Sequence, residues 1–148
     1  MFVYLGKIIT KMKSRGDIMP AVIVLGMRKL ALELVTAAEQ VLGRQQGVYA
    51  LGLQPGDTED NLRRELELLV RNCPGPVLIL VDSRQGVCGQ VAADFTNRAK
   101  VVYGANLPML MAVLKSRSEL SFIQLLELAV SAGKEGILMA KSSTSPWG

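Results

Sequence analysis

Short stretches of unbroken apolar residues alternate along this chain with longer stretches in which apolar residues recur every third or fourth position. Residues 21–25 (AVIVL) and 77–81 (VLILV) contain no polar position, the pattern of strands buried on both faces. Residues 48–53 (VYALGL) and 100–103 (KVVY) are weaker strand candidates, the first interrupted by Gly52. Between them the period changes to that of a helix. Residues 28–42 place Leu30, Leu34, Ala38 and Val41 on one face, and Gly43 stands where a helix would stop. After a Pro55-Gly56 turn, Asp57 is a good N-cap, with Glu59 and Asp60 favourably placed in the first turn. Leu62, Leu66, Leu69 and Val70 then form an apolar stripe that Pro74-Gly75 ends. Residues 90–97 read as a third helix. Pro108 opens a fourth over 109–115, and Ser118 or Ser121 caps a fifth that runs through Ala132 until Gly133 and Gly136 break it. Residues 137–140 (ILMA) are a short final strand candidate.

Strand and helix alternating at about thirty-residue spacing predict βαβ units and therefore right-handed crossovers. The expected architecture is α/β, a doubly wound, mainly parallel sheet with helices on both faces. Ligands of such sheets bind at the carboxyl ends of the strands, where the winding direction reverses. With the first and third strands as central neighbours, that crevice is lined by residues 25–29 and 82–89.

Composition narrows the chemistry. The chain has 148 residues, 49% of them hydrophobic and 20% charged, enough apolar mass for one packed domain. No apolar run approaches the ~18 residues of a membrane-spanning helix. The formal charge of +4 is concentrated near the start, where Lys7, Lys11, Lys13 and Arg15 face only Asp17 among the first 18 residues. With aromatics at 5%, a nucleic-acid surface is not expected. Residues 1–18 read as a basic leader, with Met19 an alternative start; residues 19–140 form the domain, and 141–148 a flexible Ser/Thr/Pro tail. Two cysteines, Cys73 and Cys88, exclude a disulfide scaffold. Above all, the chain contains no histidine, which excludes imidazole acid–base catalysis and phosphohistidine chemistry. No residues have metal-ligand spacing, and the glycines match neither a dinucleotide fingerprint nor a P-loop. No metal and no cofactor are therefore expected.

The crevice residues admit more than one use. Asp82 ends an apolar strand, as an orienting or catalytic acid or as an anchor for the loop from Ser83 to Gly86. Arg28 and Arg84 flank the crevice as an anion site, as solvated side chains, or with Arg84 paired to Asp82. Cys88, with no histidine to serve as its base, is expected to be a small buried residue rather than an activated thiol. Cys73 has nothing near it to suggest a role, and Met109 and Met111 are expected in the core.

Several longer motifs carry a resemblance. VLGRQQGV at 41–48, LQPGDTEDNL at 53–62, VLILVD at 77–82, VVYGANLPMLMAVL at 101–114 and AGKEGI at 132–137 together resemble the enzyme IIA domain of the mannose/fructose/sorbose family of bacterial sugar phosphotransferase systems. The resemblance implies strand order 2-1-3-4 and a C-terminal antiparallel strand, here residues 137–140, exchanged within a homodimer. It implies a cytoplasmic protein beside a membrane permease complex, and a phosphoryl relay from the phosphocarrier protein to the IIB component. In that family a histidine after the first strand carries the phosphoryl group, and an aspartate after the third strand orients it. Counted without gaps from Gly43, the histidine position is Met27, and the family's T/S-H-G reads Gly26-Met27-Arg28. Asp82 is kept. In the loop that follows, Gly86 persists, while the serine position holds Val87, the proline Cys88 and the asparagine Gln90. The expectation is a IIA-like protein that cannot carry phosphate and acts as a regulator or partner. The alternatives are an enzyme or anion-binding protein using Asp82, Arg28, Arg84 or Cys88 in the same crevice, and a ligand-free structural dimer module.

Overall fold

The computed structural model describes residues 18–141; the leader and tail expected from sequence lie almost wholly outside the described residues. Four strands, β1 (Ala21–Met27), β2 (Val48–Leu53), β3 (Val77–Val81) and β4 (Lys100–Tyr103), form one parallel sheet in the order β2-β1-β3-β4. The helices are α1 (Leu30–Leu42), α2 (Glu59–Asn72), α3 (Val87–Ala93), α4 (Leu107–Ser116) and α5 (Phe122–Glu135). The winding reverses between β1 and β3, so the two apolar strands are the central pair, as their composition requires.

Alternate residues of those strands supply two cores. Ile23, Leu25, Ile79 and Val81 pack with Leu62, Leu66 and Leu69 of α2 and with Val91 and Ala92 of α3. Val22, Val24, Leu78 and Leu80 pack on the opposite face with α1, α4 and α5. A strand covered on both faces buries every side chain, which is why β1 and β3 contain no polar residue.

Helix boundaries differ from the sequence expectation where caps compete. Thr58, not Asp57, caps α2: its hydroxyl accepts the Asn61 N–H at 3.1 Å. Asp57 instead accepts the Gln54 N–H at 2.8 Å and closes the preceding turn. Ser121 caps α5 in a reciprocal capping box with Gln124. Helix α3 begins at Val87, three residues earlier than expected, and ends at Ala93. Helix α5 does not break at Gly133. It continues to Glu135, and a Cβ at Gly133 would lie 2.6 Å from Met109 Cε, so this glycine serves close packing of α5 on α4. Asn106 joins the same pair, capping α4 through the Met109 N–H and donating to the Gly133 carbonyl at 3.0 Å. Residues 137–140 form no strand within the single chain; they follow α5 without regular structure and are exposed.

At the amino ends of the strands, Arg117 is buried at 3% exposure and, among the described residues, has no carboxylate partner. Its guanidinium donates to the carbonyls of Pro20 at 3.2 Å, Gly47 at 3.4 Å and Gln46, and to the Gln45 side chain. Burial pulls its pKa down to about 10, still well above neutrality. A fixed cationic fork thus ties the α4–α5 connection to the segments entering β1 and β2. Arg117→Ala should lower the free energy of unfolding by about 2–4 kcal/mol, because it leaves a cavity and strands buried carbonyls. Arg117→Lys, which keeps the charge without the fork, should fall between that variant and the wild type. Urea denaturation measures both, and an unchanged midpoint for Arg117→Ala would show that the fork adds no stability.

Candidate functional site

The carboxyl ends of β1 and β3 are held together by one side chain. β1 outlasts β3 by two residues: the paired register ends at Leu25 opposite Val81. Beyond it, Asp82 donates its N–H to the Leu25 carbonyl at 3.0 Å. Its Oδ2 accepts the Met27 N–H at 3.0 Å, and its Oδ1 accepts the Ser83 N–H at 2.7 Å. The carboxylate therefore replaces the strand partner that β3 no longer provides. Gly26 makes room for this arrangement, since a Cβ there would sit 3.3 Å from the Asp82 carboxyl.

Met27 continues the alternation of Ile23 and Leu25, towards the α2/α3 face. Its side chain is 47% exposed, and the Cys88 thiol donates to its sulfur at 3.9 Å. Cys88 itself is buried at the start of α3. Its pKa is pushed up to about 11, first by burial and then by the neighbouring Asp82 carboxylate, with the backbone of Leu53 and Cys88 pulling it partly back. At neutral pH the thiol stays protonated, so it is a poor nucleophile.

Arg28 follows Met27 with φ of 52°, the single non-glycine residue at positive φ among those described. Its N–H donates to the Leu53 carbonyl at 2.9 Å, and its own carbonyl accepts the Gln54 side-chain amide at 2.8 Å. That carbonyl lies over Gly52, where any Cβ would collide with it. The left-handed turn is thus imposed from β2. It leads into α1, whose N-cap, Lys29, supplies no side-chain hydrogen bond. Arg28, Lys29, Leu32, Glu33, Ala50, Gly52 and Gln54 line a depression of about 220 Å³ on the α1 face of the sheet.

On the other side, the loop after β3 runs from Ser83 to Gly86. Ser83 accepts the Gln85 N–H at 3.2 Å, and Gly86, at φ 93°, precedes α3. The carbonyls of Ser83 and Arg84 lie against Gly89, leaving no space for a Cβ.

The structure thus gathers Gly26, Met27, Asp82, Ser83 and Cys88 at one end of the sheet. Arg28 lines the depression on the α1 face, and Arg84 is not among the residues that line it. Among the described residues neither arginine forms an ion pair, so the Arg84–Asp82 pair considered from sequence is not formed. Three positioning residues escaped the sequence reading: Gly52, Gln54 and Gly89. Gly52 was visible only as a weak point in β2, while the carbonyls that require Gly52 and Gly89 come from other elements. Gly52→Ala and Gly89→Ala should each cost about 1–3 kcal/mol, the usual penalty of overpacking. Thermal unfolding measures the cost; an unchanged midpoint in either variant would mean that the overlying loop yields freely.

Comparison with known proteins identifies this scaffold. The family described as "PTS system fructose IIA component" matches residues 21–130. The "PTS system mannose-specific EIIAB component" of Escherichia coli (strain K12) is 32% identical over 132 residues, covering 84% of this chain and 41% of that protein. This chain therefore spans about two fifths of the length of the curated relatives it matches. Among solved structures, phosphotransferase system component EIIA from Streptococcus agalactiae superposes with a TM-score of 0.77 at 24% identity, covering 82% of this chain and 97% of that one. The mannose/sorbose specific IIA subunit from Enterococcus faecalis gives 0.77 at 19% identity, covering 86% and 99%. The sheet order and the helices on both faces match these IIA structures, and with the family pattern spanning most of the described residues, the chain belongs to the fructose/mannose IIA family of the sugar phosphotransferase system.

Proposed function

We propose that this protein is a cytoplasmic IIA-type partner in a bacterial sugar phosphotransferase system that does not itself carry the phosphoryl group. The observation that carries this reading is the complete absence of histidine from the 148 residues. Met27 falls where the family's phosphohistidine is expected, and a thioether has no nitrogen to phosphorylate. Its backbone N–H nevertheless binds Asp82, so the residue at this position keeps its place beside the aspartate without the reactive side chain. Asp82 is a poor substitute acceptor. Both of its oxygens already accept main-chain N–H groups, and an acyl phosphate needs a supporting site.

In this reading the chain, with residues 19–140 as its working domain, occupies the docking surface of a IIB component or the phosphocarrier protein near a membrane permease. It would regulate the relay rather than extend it. Among the described residues no helix is long and apolar enough to cross a membrane. The reading of an altered enzyme built on Cys88 loses support from the protonated, buried thiol.

The test is incubation with phosphoenolpyruvate, enzyme I and the phosphocarrier protein, with a histidine-bearing IIA protein as control. The control should take up one acid-labile phosphoryl group per chain and this protein none. Stoichiometric label on this chain, acid-labile or cleaved by hydroxylamine, would overturn the proposal.

The homodimer implied by family resemblance is part of the same proposal. Ile137, Leu138 and Met139 are 79%, 84% and 92% exposed in the single chain, and β4 is an edge strand. Three consecutive exposed apolar side chains suit pairing with a second copy better than solvent. The full chain should elute and scatter light as a dimer, and deletion from Ile137 onward should yield a monomer. A monomeric full chain at micromolar concentration would refute the exchange.

A further inference from the structure

The depression on the α1 face is open to solvent and is built from three parts of the chain. Arg28 and Lys29 come from the turn after β1, Leu32 and Glu33 from α1, and Ala50, Gly52 and Gln54 from β2 and the residue that follows it. Its shape is fixed by contacts that do not involve the charged groups. The Gln54 side-chain amide donates to the Arg28 carbonyl at 2.8 Å, Asp57 accepts the Gln54 N–H at 2.8 Å, and Gly52 leaves no room for a side chain beneath. The turn so imposed holds residue 28 at φ 52°, a conformation that glycine adopts without strain. The chain places an arginine there, and that arginine lines the depression. Among the described residues none of Arg28, Lys29 and Glu33 forms an ion pair. Two cations and one carboxylate therefore border one hollow without neutralising each other.

The lining selects a ligand. At about 220 Å³ the depression falls below the ~300–1,000 Å³ of drug-sized pockets, which limits it to a molecule of single-ring size. Two adjacent cations complement a dianion. Glu33 repels a bare anion but accepts hydrogen bonds from hydroxyl groups, and Gln54, with its side-chain nitrogen engaged, adds an oxygen acceptor. Leu32 and Ala50 offer apolar contact to carbon-bound hydrogens. We propose that this depression binds a phosphorylated monosaccharide, with the phosphate on Arg28 and Lys29 and the sugar hydroxyls on Glu33 and Gln54. Binding makes and breaks no covalent bond. Phosphoryl transfer to a sugar hydroxyl is the class of reaction that supplies such a ligand, so the site would sense the product of that reaction. The inference goes beyond the silent-partner reading and does not depend on it, since neither Met27 nor Asp82 lines the depression.

Isothermal titration calorimetry of the full chain tests it with mannose 6-phosphate and fructose 1-phosphate, against inorganic phosphate and mannose. At least one sugar phosphate should bind with one-to-one stoichiometry and a Kd below about 1 mM, with inorganic phosphate and mannose at least tenfold weaker. Arg28→Gly, which suits the backbone at that position, should remain folded by circular dichroism and bind the same sugar phosphate at least tenfold more weakly. Lys29→Gln should weaken binding in the same direction. Lys115→Ala, in the last turn of α4, should bind as the wild type does. No binding of either sugar phosphate at millimolar concentration would overturn the proposal. Inorganic phosphate binding as tightly as the sugar phosphates, or equal affinity in wild type and in both Arg28→Gly and Lys29→Gln, would overturn it as well.

Discussion

The Asp82 carboxylate solves a problem created by unequal strands. β1 runs two residues past its pairing with β3, and the N–H of Met27 would otherwise face a gap on that side. The neighbouring N–H, on Arg28, points the other way and finds the Leu53 carbonyl of β2. Only the β3 side needs a substitute acceptor, and the first residue after β3 supplies it. A hydrogen bond to a charged group contributes about 1.5–3 kcal/mol, and here it also fixes where residue 27 stands. Gly26 beneath it, the loop from Ser83 and the first turn of α3 are placed by the same contact.

Most of the framework could be read from local pattern because local pattern is what determined it. Buried parallel strands must be apolar throughout, so β3 fell where its hydrophobic run begins and ends, while the edge strands β2 and β4 matched the weaker candidates at 48–53 and 100–103. β1 proved longer than its apolar run because Gly26 and Met27 are held by partners on β2 and after β3, not by their own propensity. Caps were harder to read. Asp57 and Thr58 are both good N-cap residues, and the turn at Gln54 claimed the aspartate. Gly133 looked like a helix breaker, although its lack of a side chain is what lets Met109 approach. The location of Asp82 and Met27 at the carboxyl ends of adjacent strands was legible from the strand pattern, whereas the Met27–Cys88 contact and the carbonyls over Gly52 and Gly89 join distant segments and leave no periodic trace.

The two ends of the sheet divide the polar demands of the fold. At the amino ends, Arg117 satisfies main-chain carbonyls from a buried position and, among the described residues, meets no carboxylate. At the carboxyl ends, Asp82 satisfies main-chain N–H groups and, among the described residues, meets no arginine. Each charged group therefore completes the backbone hydrogen bonding of the strands. Surface ion pairs, such as Arg98 with Glu67 and Arg63 with Asp94, stitch α2 to the segment after α3 and lie apart from both ends.

This division gives Asp82 a structural task beside a methionine. On the proposal that Met27 stands at the family's histidine position, an aspartate whose whole task was to orient an imidazole ring would have no task here. Asp82 binds the main chain of residue 27, however, and every residue except proline offers that N–H. The contact is indifferent to whether the side chain above it is an imidazole or a thioether. An acceptor at position 82 is therefore a requirement of unequal strands, and its presence alone carries no information about phosphoryl transfer. The chemical character of the crevice rests on the side chain of residue 27 and on the surface that contacts it, which is the buried thiol of Cys88.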